Sequence, residues 1–149
     1  MVKSLFVNGV LICMAAVLSL GTGLWGCGKK DWPEPRLHED RFQWTQLQHQ
    51  RYDHCLDVRA LLDGAASNLR FVTLEWMEME NGEDCPDCPF TATGRARLDD
   101  ATAEFKRQNG VIRIVYCGWE PNVSYRWRLV GGNKYVGLGT TISEVQFSR

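Results

Sequence analysis

The sequence has no excess of charge of either sign: 17 lysines and arginines stand against 18 aspartates and glutamates, for a net charge of −1. Nucleic-acid binding needs a clustered basic surface and is not expected. Arg95, Arg97, Arg126 and Arg128 lie in alternating segments and read as one solvated sheet face. Histidine is scarce too. His38, His49 and His54 are the only three, with no repeating carboxylate spacing around them, so solvated or locally bonded rings are expected rather than a metal site, which needs about four convergent ligands. Neither a Gly-x-Ser-x-Gly elbow nor a phosphate-binding loop occurs. Glu75, Glu78 and Glu80 fall on or near one strand without a partner in the pattern. The expectation is a protein that is not an enzyme and that uses no cofactor or metal.

What is present begins at the first residues. Lys3 supplies a positive start, and Leu5 to Leu20 is apolar apart from Asn8, Gly9 and Ser19. Gly21-Thr22-Gly23 breaks the run before Leu24-Trp25-Gly26-Cys27 and Gly28-Lys29-Lys30. Positive flank, apolar run and small-residue segment together suit an export signal. The competing reading is an uncleaved anchor, because Leu5 to Gly26 approaches the ~20 residues needed to span a bilayer. Glycines near its end and the lysine pair on the far side count against that.

The Leu24–Cys27 segment resembles the lipobox of bacterial lipoproteins. The resemblance implies removal of residues 1–26 and a diacylglyceryl group, with palmitate-type chains, on Cys27. Several acyl chains anchor a protein durably where one does not, so the membrane would be a partner through Cys27. Gly28 stands where an Asp commonly retains such proteins in the inner membrane. Its presence implies the outer membrane and a domain in the periplasm, in a Gram-negative cell.

Removal of that segment leaves 123 residues, one domain of ordinary size. Residues 27–40 form the lipidated start and a tether: positions 28–40 hold two prolines and eight charged or His side chains. Four cysteines then remain, Cys55, Cys85, Cys88 and Cys117. An even number in an exported chain favours two disulfides, for which three pairings exist.

From residue 41 to 149 the period is mostly two. Leu56, Val58, Ala60 and Leu62 alternate with Asp57, Arg59 and Leu61; Val72, Leu74 and Trp76 alternate with Phe71, Thr73 and Glu75. Half-buried strands follow. With Phe42 and Trp44 in the first, and segments at Thr91–Leu98, Val111–Cys117, Ser124–Val130 and Thr140–Phe147, seven strands are predicted. Asp99 to Gly110 breaks the pattern. Acidic residues at its start, basic ones later and Asn109-Gly110 beyond predict one short crossover helix. The fold class is all-β, a seven-stranded immunoglobulin-like sandwich with that helix. Trp44, Trp76, Trp119 and Trp127 are expected in its core.

Trp119-Glu120-Pro121, then Tyr125-Arg126-Trp127-Arg128-Leu129, Asn133, Gly137, Gly139 and Ser143, resemble the later strands of fibronectin type III domains. The resemblance implies that Tyr125 is a structural tyrosine corner, its ring in the core and its hydroxyl bonded to the preceding loop. Trp127 and Leu129 would point inward, with Arg126 and Arg128 outward. It also implies that the second strand, from Cys55, lies beside the fifth, which ends at Cys117. Cys55 and Cys117 would then pair, and Cys85 would pair with Cys88. A second register makes Val72–Met77 the second strand, which separates Cys55 from Cys117.

Cys85-Pro86-Asp87-Cys88 admits other chemistry. A zinc site lacks further ligands in the sequence, and a redox site would open a helix, whereas Pro89 and a strand follow here. The function implied is a non-catalytic binding or scaffolding module of the cell envelope with an unidentified envelope protein as partner. The alternatives are a thiol/disulfide redox factor using Cys85 and Cys88, or an assembly factor for an outer-membrane machine.

Overall fold

Alternation along the second strand sets the architecture. Leu56, Val58, Ala60 and Leu62 are at most 5% exposed, and the side chains between them face the other way. The computed structural model describes residues 37–79 and 88–148. The signal segment, Cys27, the tether as far as residue 36, and Cys85 lie outside the described residues.

The described strands are β1 (Phe42–Tyr52), β2 (Cys55–Gly64), β3 (Leu69–Glu78), β4 (Gly94–Leu98), β5 (Phe105–Gln108), β6 (Val111–Tyr116), β7 (Tyr125–Asn133), β8 (Thr140–Ile142) and β9 (Gln146–Ser148). They form two antiparallel sheets, β1-β2-β6-β5 and β4-β3-β7-β8, with β9 also on β7. The sheets pack as a β-sandwich. Phe42, Leu56, Val58, Ile112 and Ile114 meet Val72, Leu74, Trp127 and Leu129 in one buried cluster. Trp119 is buried with them, and Trp44 and Trp76 pack partly buried against it. At the start of the domain the backbone carbonyl of Asp40 accepts from Asn68 Nδ2 at 3.0 Å and from Asn133 Nδ2 at 2.8 Å.

The β1–β2 ladder slips between Thr45/Leu61 and Gln48/Arg59, one extra residue falling on β1. Gln46 there has a left-handed φ of 46°, a conformation that costs a non-glycine residue energy. This is a β-bulge, and a one-residue slip turns every later side chain to the opposite face. Phe42 and Trp44 point inward before it. After it Gln48, Gln50 and Tyr52 are exposed, and Arg51 turns toward the interior.

The crossover helix expected over 99–110 is absent. Asp99 Oδ1 accepts the Ala101 N–H at 3.0 Å, and Thr102 Oγ1 donates to the Asp99 carbonyl at 2.7 Å. These local bonds close one turn and stop it. Phe105 to Gln108 then runs as β5 against β6, with Gln108 opposite Val111. Asn109 and Gly110 have φ of 51° and 79°. Two successive left-handed residues match the twist of a tight hairpin, so the Asn-Gly pair is a hairpin turn and not the end of a helix.

The strand count also differs, nine among the described residues in place of seven. One addition is β5. The other comes from the last predicted strand, which divides at Ser143 into β8 and β9: the Leu129 N–H donates to Ser143 Oγ at 2.9 Å, and the Ser143 N–H returns to the Leu129 carbonyl at 2.9 Å. A side-chain oxygen there replaces a main-chain acceptor.

Candidate functional site

The β2–β6 register brings two of the predicted cysteines together. Leu56 faces Tyr116, so Cys55 and Cys117 are the next pair outward, and they form a disulfide with Cα atoms 3.9 Å apart. The second register is excluded, because β3 pairs with β4 and β7 and not with β6. Cys88 is also disulfide-bonded, and its carbonyl accepts from Arg126 Nη2 at 2.9 Å.

His54 lies beside the Cys55–Cys117 bridge, the ligand atoms of all three within 4.8 Å of one another. The two sulfurs are bonded to each other and are not thiolates, the form that binds metal. His54 Nδ1 is 3.2 Å from the Asp53 carboxylate, and His49 Nε2 is 2.9 Å from the Phe147 carbonyl. Each of these two rings has a local partner.

Tyr125 begins β7 and is 2% exposed. Its hydroxyl accepts the Glu120 N–H at 3.1 Å, bridging back across the loop that leads into the strand. Its ring stacks on Trp119, centroids 4.5 Å apart and planes 16° from parallel. Trp76 meets Trp119 edge-on at 6.3 Å and Tyr116 at 5.0 Å. Burial, with Tyr125 nearby, pushes the Tyr116 hydroxyl above its ordinary pKa. Arg51, delivered to this end by the bulge, donates to the carbonyls of Asp53, Glu120 and Val123.

Arg95 and Arg97 lie exposed on the solvated face expected for them, whereas Arg128 is half-buried and Arg126 is buried. Glu75, 8% exposed, faces Arg95 on β4 and Arg128 on β7. Arg95 Nε lies 2.9 Å from Oε1, and Arg128 Nε and Nη2 lie 2.8 and 2.7 Å from Oε2. The Arg97 guanidinium stacks 3.8 Å over the Phe71 ring, which lies flat on Gly132; a Cβ there would sit 2.3 Å from it. Arg128 stacks on Phe90 at 4.5 Å, and Arg126, 4% exposed, lies 5.5 Å from Phe147. Glu75 therefore has partners, contrary to expectation. Both its oxygens are engaged by arginine, which makes it a counter-ion for the sheet.

Periodicity identified the side of the sheet these arginines occupy but not their partners, since cross-strand neighbours depend on register. Arg51 carries no signal in the sequence at all. No protein-family model matches the chain, and no curated protein matches it significantly.

Proposed function

We propose that the chain is a lipid-anchored, non-catalytic binding or scaffolding module of the cell envelope, built on a fibronectin type III-like sandwich. The observation that carries this reading is the Cys55–Cys117 disulfide. Disulfides persist in oxidising compartments and are rare where thiols are kept reduced, which agrees with an export signal ahead of Cys27. The sheet orders support the fold half: β1-β2-β6-β5 follows the A-B-E-D order of immunoglobulin-like sandwiches, and β4-β3-β7-β8 follows C-F-G with β4 as an added edge strand. The Tyr125–Glu120 bond is of the tyrosine-corner kind. Asp57, Glu75 and Asp100 are each engaged by an arginine, which favours binding over bond-breaking chemistry.

The test is the mass and membrane partition of Cys27→Ala expressed in a Gram-negative host. The variant should remain an unlipidated precursor and lose detergent-resistant membrane association of the acylated kind. A normal mature mass in that variant would refute the anchor. Alkylation of the unreduced native protein separates binding from redox activity: two stable disulfides leave no thiol to label, whereas a labelled Cys85 or Cys88 would favour the redox factor.

A further inference from the structure

The outer face of the four-stranded sheet carries a cost that its own packing does not explain. Arg59 and Arg113 are directly opposite on β2 and β6, and Lys106 on β5 is directly opposite Arg113. Like charges in directly opposed positions destabilise a sheet. Asp57 hydrogen-bonds one of the three, receiving Arg113 Nε at 3.1 Å and Nη2 at 2.7 Å, and the charge of Arg59 acts on the same carboxylate. Arg59 is exposed and has no hydrogen-bond partner among the described residues.

Beside this row the bulge at Gln46 turns Gln48 and Gln50 outward, opposite Arg59 and Asp57. Bulges recur where a side chain must be re-aimed next to a site. The result is a groove of about 300 Å³ whose lining includes His49 and, on the outer face, Gln48, Gln50, Tyr52, Asp57, Arg59 and Arg113. The two amides each offer donors and an acceptor, the pattern that vicinal hydroxyls satisfy. The Arg59 fork matches a carboxylate or phosphate in two parallel bonds. Tyr52, 55% exposed at the hairpin end, gives a flat apolar surface with a polar tip.

We infer that this groove binds an acidic glycan, a sugar chain bearing an oxyanion, with Arg59 on the anion, Gln48 and Gln50 on ring hydroxyls and Tyr52 against a sugar face. An acidic peptide supplies the charge but not the dense hydroxyls that the two amides fit. The Asp57 carboxylate competes with the incoming anion for Arg113. This inference deepens the binding-module reading and rests on it. Lipid analysis of Cys27→Ala tests that reading without reference to any glycan, so the two can fail separately.

The experiment is affinity electrophoresis of the full chain, in detergent, through gels containing polygalacturonate, neutral dextran or poly-glutamate, with inorganic phosphate as a free competitor. Polygalacturonate should retard the protein, and dextran and poly-glutamate should not. Arg59→Gln, and Gln48→Ala with Gln50→Ala, should each weaken binding by about tenfold, the loss of one charge-assisted contact or two neutral ones. Arg70→Gln, an exposed arginine on the other sheet, should change nothing. Asp57→Asn should tighten binding, because it frees Arg113. All the substituted positions except Asp57 are exposed, and recovery of the Cys55–Cys117 disulfide reports correct folding.

Four outcomes of the gels and variants overturn the inference. They are no retardation by polygalacturonate, equal retardation by poly-glutamate, equal weakening in Arg70→Gln, and weaker binding in Asp57→Asn. Displacement by millimolar phosphate alone would also overturn it, reducing the groove to a simple anion site.

Discussion

Arg51 holds its guanidinium over the ring of Tyr125. Its guanidinium carbon is 5.4 Å from the Tyr125 centroid and 5.7 Å from that of Trp119, while the two stacked centroids are 4.5 Å apart. At such distances a ring face attracts the cation, by about 0.5–1 kcal/mol at an exposed site and more when desolvated. Its donors are set on three carbonyls, from Asp53 in the β1–β2 hairpin and from Glu120 and Val123 in the loop before β7.

That geometry separates charge from shape. Arg51→Lys keeps the cation but replaces a planar fork of donors with one ammonium, which cannot reach carbonyls on two different segments. The substitution should cost about 1–2 kcal/mol, the worth of one or two charge-assisted hydrogen bonds. Urea denaturation measures it; an unchanged midpoint would show that the charge alone suffices.

Tyr125→Phe tests the bond across the same loop. The ring would keep its stack on Trp119 and lose only the acceptor for the Glu120 N–H. Because Glu120 is exposed, water can replace the phenol, and the cost should fall near about 1 kcal/mol rather than at the full penalty for a buried donor. A midpoint equal to that of the wild type would remove the corner from the list of stabilising contacts.

The sandwich was legible where one residue's environment depends on its own strand. The alternation of Leu56, Val58, Ala60 and Leu62 marked a buried face, and all four are buried. It was illegible where register decides. Glu75 gains Arg95 and Arg128 only because β3 lies between β4 and β7 in a particular alignment. The Gln46 bulge reversed the faces of β1 beyond it, and no glycine marked the position. Asp99 to Gly110 failed for a different reason. Charge polarity and Asn-Gly fit the end of a helix and a hairpin turn equally, and pairing of β5 with β6 favoured the hairpin.

The Cys55–Cys117 bridge closes a separation of 62 residues. In the loop-entropy model a cross-link of that span stabilises by about 4 kcal/mol, chiefly by restricting the unfolded chain. Cys55→Ser with Cys117→Ser should lower stability by that order. Native protein under reducing agent, which also opens the bridge at Cys88, should lose at least as much. A loss in both measurements assigns the effect to the bond; a loss only in the double variant would assign it to the serines.

Asp57 makes stability depend on acid. The hydrogen bonds from Arg113 are the main cause holding its carboxyl below the ordinary value, with the charges of Arg113 and Arg59 adding to the effect and burial opposing it. A carboxyl more acidic in the folded than in the unfolded chain stabilises the fold fully above its unfolded pKa of about 3.9, and that contribution disappears as pH falls through the folded value. Asp57→Asn removes the titration while keeping the side-chain shape. Its stability should therefore fall less steeply than that of the wild type as pH drops below about 5, where the unfolded carboxyl begins to take up its proton. Urea midpoints collected across that range decide the matter: parallel curves for the two proteins would mean that the Asp57–Arg113 pair does not contribute to the acid limb, and convergence at low pH would mean that it does.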